Sequence, residues 1–160
     1  MHAALIPSPI GPIYVEAEGD RLTRLFTNSD RRAEAATTGV LARTRRQLDE
    51  YFKGERTSFD LPLQERGTPF EQALWARLRQ IPYGETVTYG ELAREIGTSP
   101  RAVGRANGRN QISIIVPCHR VIGTNGSLTG YAGGIPTKQA LLKHEMAGAG
   151  RLSEPPGVAS

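Results

Sequence analysis

The stretch Ile114-Ile115-Val116-Pro117-Cys118-His119-Arg120-Val121-Ile122 holds the only cysteine of the 160-residue chain and one of its three histidines. Branched apolar residues lead into the polar triplet and resume after it, the pattern of a short buried strand. Pro117 has no N–H and belongs at a strand end or a bulge. Neighbours on a regular strand point to opposite faces. Cys118 and His119 therefore meet only where the backbone is distorted, and Pro117 gives a reason for distortion. Two readings follow. A lone cysteine usually behaves as a small buried hydrophobe. A cysteine with a histidine beside it is the start of a nucleophile and its base. The surrounding sequence decides between them.

Upstream, Thr68-Pro69-Phe70-Glu71 reads as N-cap, N1 proline and N3 glutamate. It opens a helix with Phe70, Ala73, Leu74, Leu78 and Ile81 on one face, ended by Pro82. Residues 88–97 form a short helix stopped by Gly97, and Thr98-Ser99-Pro100 starts another over 101–108. Two short helices joined by a glycine-containing turn make a helix-turn-helix. The second helix carries small residues at Ala102, Gly104, Ala106 and Gly108 and arginines at 101, 105 and 109. Tight packing against a neighbour would explain the small residues. A slim helix pressed into a groove, with arginines four apart reaching phosphates, explains both features.

Downstream, Asn125-Gly126 marks a hairpin-type turn. The run Gly130-Tyr131-Ala132-Gly133-Gly134 lacks the pattern of a phosphate-binding loop. A loop wrapping a planar ligand, with Tyr131 as aromatic wall, fits it better. A last helix spans 137–146, and a tail over 147–160, rich in Gly, Pro, Ala and Ser, is expected to be disordered. Residues 1–68 read as a separate unit: three antiparallel strands over 3–6, 13–17 and 21–26, a helix over 33–53, and an edge-like stretch at 59–63.

The chain carries 20 basic and 16 acidic residues, a formal +4. In residues 1–68 nine arginines and one lysine balance ten acids, so all the excess lies in 69–160, beside the cysteine. That placement suits a polyanionic partner. No run approaches the roughly 18 apolar residues of a membrane span, and the first residues lack a signal peptide's basic start and long apolar core. One cysteine makes no internal disulfide, so a cytoplasmic location is expected. Structural zinc sites want four ligands, so one Cys and three His in the whole chain do not favour one; no metal and no cofactor is expected.

Pro117-Cys118-His119-Arg120-Val121, with Arg101-Ala102-Val103-Gly104, Ala106-Asn107-Gly108, Asn110, Gly130-Tyr131-Ala132-Gly133-Gly134, Lys138 and Leu141-Leu142-Lys143-His144-Glu145, resembles the O6-alkylguanine-DNA alkyltransferases. The likeness covers about residues 69–146 and is loose before them. It implies a ribonuclease-H-like α/β N-terminal domain with a small antiparallel sheet over 1–68. It implies a mostly α-helical, winged-helix-like DNA-binding and alkyl-transfer domain over 69–146. The activity it implies is single-turnover transfer of the alkyl group of O6-alkylguanine, and of O4-alkylthymine, to Cys118. A thiol of pKa about 8.5 needs activation at neutral pH. By resemblance His119 activates it through a bridging water, with Glu145 holding the imidazole and Asn110 as the hinge to the recognition helix. Tyr131, Ala132 and Gly133 line the guanine pocket, and backbone at Cys118 and Val121 reads the guanine edge. The base is flipped out of a duplex bound through the minor groove. The resemblance also implies that Arg101 fills the gap and Tyr89 pushes the 3′ phosphate, while Ala102, Gly104, Arg105, Ala106 and Asn107 face the DNA. A monomer is implied; cooperative assembly on DNA stays open.

Gln111, where many members have proline, suggests a looser hinge, and Ala132, where some have serine, removes a hydrogen bond to O6. Three rival readings differ in class. A non-catalytic damage-binding module would lack the cysteine. A transcription factor would not need Glu145 with His119 or the Tyr131 loop. A cysteine hydrolase would need an oxyanion hole and would release its product.

Overall fold

The computed structural model describes residues 1–123, 125–128, 130–131 and 133–150. The chain divides into two compact units: residues 1–66 with 111–115, and residues 67–110 with the chain from 116 onward. Each unit is built on its own core.

In the first unit, β1 (His2–Ile6), β2 (Ile13–Glu18) and β3 (Arg21–Phe26) form an antiparallel meander in the order β1-β2-β3. Central β2 is buried over five of its six residues, because both of its neighbours and α1 cover it. Helix α1 (Gly39–Phe52) buries Leu41, Thr44, Gln47, Leu48 and Tyr51, one face at three- and four-residue spacing. It starts six residues later than the pattern over 33–53 suggests. Glu34 and Ala35 are held extended beside β1, where the Leu5 amide donates to the Glu34 carbonyl at 2.8 Å. The edge stretch is tied in twice: the Leu22 amide donates to Pro62 O (2.8 Å) and the Gln64 amide to Leu22 O (2.9 Å).

Residues 111–115 belong to this unit, which interrupts the continuous 69–146 domain expected from sequence. The Leu25 amide donates to Gln111 O at 2.9 Å and the Ser113 amide to Leu25 O at 3.1 Å. The strand expected to run into Cys118 does not form. Ile114 takes φ +72°, a left-handed conformation that costs a β-branched residue roughly 1–3 kcal/mol. The chain turns there instead of extending.

In the second unit, α2 (Pro69–Leu78) starts on a complete capping box: the Glu71 amide donates to Thr68 Oγ1 and the Thr68 amide to Glu71 Oε1. Helix α3 (Tyr89–Ile96) has the same box from Thr88 and Glu91 and ends on left-handed Gly97, φ +79°. Helix α4 (Pro100–Gly108) is capped by Ser99. Trp75 on α2 donates its indole N–H to Ala106 O on α4 at 3.0 Å, and this bond joins the helices. A two-residue parallel pair, β4 (Val87–Thr88) with β5 (Val121–Ile122), and α5 (Ile135–Gly148) complete the unit.

Candidate active site

Cys118, His119 and Arg120 form a single 3₁₀ turn. A short 3₁₀ turn lets consecutive side chains enter one interior, which a strand forbids. Cys118 is 5% exposed and His119 fully buried. Asparagines fix the turn from the recognition helix side. Asn110 Nδ2 donates to Val116 O at 2.8 Å, which also accepts the Cys118 amide at 2.8 Å. Asn107 Nδ2 donates to Cys118 O at 3.3 Å.

His119 Nε2 lies 2.7 Å from Glu145 Oε2. Arg120 grips the same carboxylate with Nε on Oε1 (2.7 Å) and Nη2 on Oε2 (3.0 Å), and gives Nη1 to Ile81 O (2.7 Å). Burial pushes the Glu145 carboxyl up, but His119 and Arg120 outweigh it and hold it well below the usual carboxylate range. Burial lowers the His119 pKa, helped by Arg120 and Lys138 and opposed by Glu145. The imidazole is therefore neutral at pH 7. An ionised Glu145 accepts only, so the network assigns the ring proton to Nε2 and leaves a lone pair on Nδ1. Nδ1 is buried and has no hydrogen-bond partner among the described residues, so a base is ready on the residue next to the thiol.

Lys138 was part of the quoted pattern but carried no role there. It is fully buried on α5, donates to Val121 O at 2.6 Å and lies 5.8 Å from the Tyr89 ring centroid. Burial pushes its pKa down to about 8, with the Cys118 charge pulling it back up. At neutral pH it is a cation inside the site, and a nearby cation favours a thiolate. Its spacing of three and four residues from buried Leu141 and Leu142 puts it on their inward helix face, although a lysine is ordinarily solvated.

Helix α4 has two faces. Arg101 and Arg105 are exposed, and Ala102 and Gly104 partly so. A Cβ on Gly104 would sit 3.8 Å from the partly exposed Tyr89 ring. Ala106 and Asn107 do not belong on a DNA-facing surface: they are 3% and 5% exposed. Both lie on the helix face that holds Trp75 and the cysteine turn. Their spacing from buried Val103, three and four residues, is the signal that places them inside. Arg109 is committed to Glu71 at 3.1 Å. Of the expected pocket residues, Val121 and Gly133 are buried and Tyr131 partly exposed; Ala132 lies outside the described residues. Both carbonyls expected to read guanine are engaged, Cys118 O by Asn107 and Val121 O by Lys138, although each keeps a second lone pair. Among the described residues no group of three or more His, Cys, Asp or Glu is placed to hold a metal ion, and no helix is long and apolar enough to cross a membrane.

A buried thiol next to a carboxylate-bound histidine, on one unit with a helix-turn-helix, is the class of arrangement that cysteine chemistry on nucleic acid requires. The family model for the 6-O-methylguanine DNA methyltransferase DNA-binding domain matches residues 69–147, and that for the ribonuclease-like domain of the same family matches residues 1–64. The chain belongs to the 6-O-methylguanine DNA methyltransferase family. A methylated-DNA–protein-cysteine methyltransferase of Methanosarcina acetivorans is 48% identical over 153 residues, covering 91% of this chain and 98% of the relative. The constitutive enzyme of that name from Bacillus subtilis is 45% identical, covering 84% and 88%. The crystal structure of Mycobacterium tuberculosis OGT in complex with DNA superposes with TM-score 0.84 at 46% identity, covering 97% of this chain and 96% of that one.

Proposed function

We propose that this protein repairs alkylated guanine, and alkylated thymine, in duplex DNA by moving the alkyl group onto Cys118 once per molecule. The observation that carries the reading is the buried acceptor nitrogen Nδ1 of His119, the residue next in sequence to Cys118, with Nε2 held by Glu145. The Cys118 proton passes to Nδ1 through one water, which spans what the turn keeps apart. The thiolate attacks the alkyl carbon in line, the C–S bond forms as the C–O6 bond breaks, and the electron pair leaves with guanine. The proton taken from sulfur ends on the released base, so the exchange balances as thiol plus O6-alkylguanine to thioether plus guanine. A thioether has no easy leaving group, so each molecule reacts once.

The nucleotide leaves the stack to reach a thiol that is 5% exposed. Arg101, exposed near the start of α4, takes the vacated place from the minor groove, and Tyr89 presses on the adjacent phosphate. The protein acts as a monomer in the cytoplasm.

Mass spectrometry after mixing with a methylated duplex should show one methyl-sized gain, on the Cys118 peptide, never repeated on one chain. Cys118→Ser should lose transfer and keep DNA binding; transfer surviving that change removes Cys118 as nucleophile. Turnover with no covalent gain would favour a hydrolase. Arg101→Ala should slow repair in duplex at least tenfold, about 1.4 kcal/mol, and leave reaction with the free base within twofold. Equal slowing on both substrates would refute its role as the plug.

A further inference from the structure

We propose that Arg120 is a positioning residue for alkyl transfer: its guanidinium clamps Glu145 so that His119 keeps Nε2 as donor and Nδ1 as the empty acceptor for the cysteine proton. This rests on the alkyl-transfer reading and adds to it a residue that touches neither substrate nor thiol.

Arg120 is 6% exposed and every nitrogen of its guanidinium is engaged, two on the Glu145 oxygens and one on the Ile81 carbonyl. The guanidinium also lies 5.9 Å from the Tyr83 ring centroid. A surface salt bridge would not need such enclosure. Arginine does not deprotonate in proteins, so the carboxylate faces a full cation at every working pH.

The consequence for His119 follows from charge. An imidazole hydrogen-bonded to a buried carboxylate with no other partner tends to take a second proton, because the imidazolium balances the carboxylate. Both ring nitrogens are then donors, and no lone pair remains for the thiol proton. Arg120 supplies that balance in advance. The charged groups acting on the ring are Arg120 on its own turn and Glu145 and Lys138 on α5, with Tyr83 behind the guanidinium. Burial, Arg120 and Lys138 oppose the second proton, and Glu145 alone favours it. Removing Arg120 lets the His119–Glu145 pair take up a proton at higher pH, wherever within the pair it resides.

The test is the single-turnover rate of methyl transfer from an O6-methylguanine duplex to the full chain, from about pH 5.5 to about pH 9. Wild type, Arg120→Met and Arg120→Lys are compared. In Arg120→Met the acid limb of the profile should move up by about one unit, a roughly tenfold loss near pH 6 that alkali recovers. Arg120→Lys should move it less, since one amine keeps the charge but cannot reach both oxygens and Ile81. If circular dichroism shows that the methionine variant does not fold, the lysine variant carries the test alone, because its limb must still rise. Parallel slowing at every pH, or limbs that stay put, would overturn the proposal and leave the transfer reading intact. Failure of the wild type to gain a methyl group would instead overturn the transfer reading.

Discussion

Each unit contains a carboxylate gripped by arginine and by an aromatic ring that can donate a proton. In the first, Glu16 accepts from Tyr14 Oη (2.7 Å) and Arg31 Nη1 (3.3 Å), and Arg31 covers the Tyr14 and Phe26 rings at 5.4 and 5.2 Å. In the second, Glu145 takes His119 and Arg120. The residue types nearly match, but the Arg31 side chain is 48% exposed and the Arg120 side chain 8%. Bulk solvent reaches the first cluster through Arg31, while the second is enclosed on every side chain. The rings differ as well. Tyr14 has one polar atom and gives it to Glu16, whose hydrogen bond raises the phenol pKa. His119 gives one nitrogen and keeps another. A charge cluster becomes chemistry when it is sealed and when its ring has a second working atom.

The largest effect should come from breaking the sealed cluster. Glu145→Ala leaves the Arg120 cation buried without its carboxylate, which costs about 3–5 kcal/mol, and it should also remove transfer. Urea unfolding of this variant beside Glu16→Ala is the measurement. A loss for Glu145→Ala no larger than that for Glu16→Ala would show that enclosure does not set the difference.

Next in size is a pH effect. Lys138 is held at about 8, against 10.5 when exposed. Below pH 8 both folded and unfolded chains keep this proton, and the fold carries the full cost of an enclosed cation. Between about pH 8 and about pH 10.5 the unfolded chain holds more protons, so stability rises with pH. A displacement of that size corresponds to about 3 kcal/mol over the window. Lys138→Met should flatten this slope, read as the difference between variant and wild-type urea midpoints across the window. Exposed Lys53 is the counterpart in the first unit. Its hydrogen bond to Asp49 raises its pKa, so its small contribution is lost, not gained, as pH rises. A wild-type slope unchanged by Lys138→Met would mean that the buried amine is not what titrates.

What the sequence showed and what it hid divide along the same line. Thr68 and Glu71, or Thr88 and Glu91, are three residues apart, and their capping boxes involve only each other, so local hydrogen bonding made both helix starts legible. The apolar run at 114–116 has the pattern of a strand because the pattern carries burial and not geometry. Branched residues say that a segment goes inside, but not that Ile114 will take φ +72° to turn it. The roles of Cys118, His119 and Glu145 came through family resemblance. The 26-residue separation between His119 and Glu145 is invisible to periodicity. Long cations are ordinarily solvated, so only tertiary enclosure shows Arg120 facing inward, while Lys138 is marked by its three- and four-residue spacing from Leu141 and Leu142. The short side chains of Ala106 and Asn107 suggest groove contact, yet both are buried. The three- and four-residue spacing from Val103 carried the better signal.

The smallest effect should be Glu16→Gln. The amide oxygen still accepts from Tyr14, the side-chain volume is kept, and the Arg31 guanidinium stays over the two rings. Only the charge is removed. Because Arg31 is about half exposed and Arg24, 3.8 Å away, is 38% exposed, water already screens that charge, and the change should cost about 1 kcal/mol or less. Salt adds a second reading. In about 1 M salt the screening length falls to about 3 Å, so the gap between wild type and Glu16→Gln should close. The Glu145→Ala deficit should persist, since ions do not enter an enclosed pair. Urea midpoints at low and high salt for both variants decide it. A Glu16→Gln deficit that survived high salt would place the first cluster in the same class as the second and end the distinction between them.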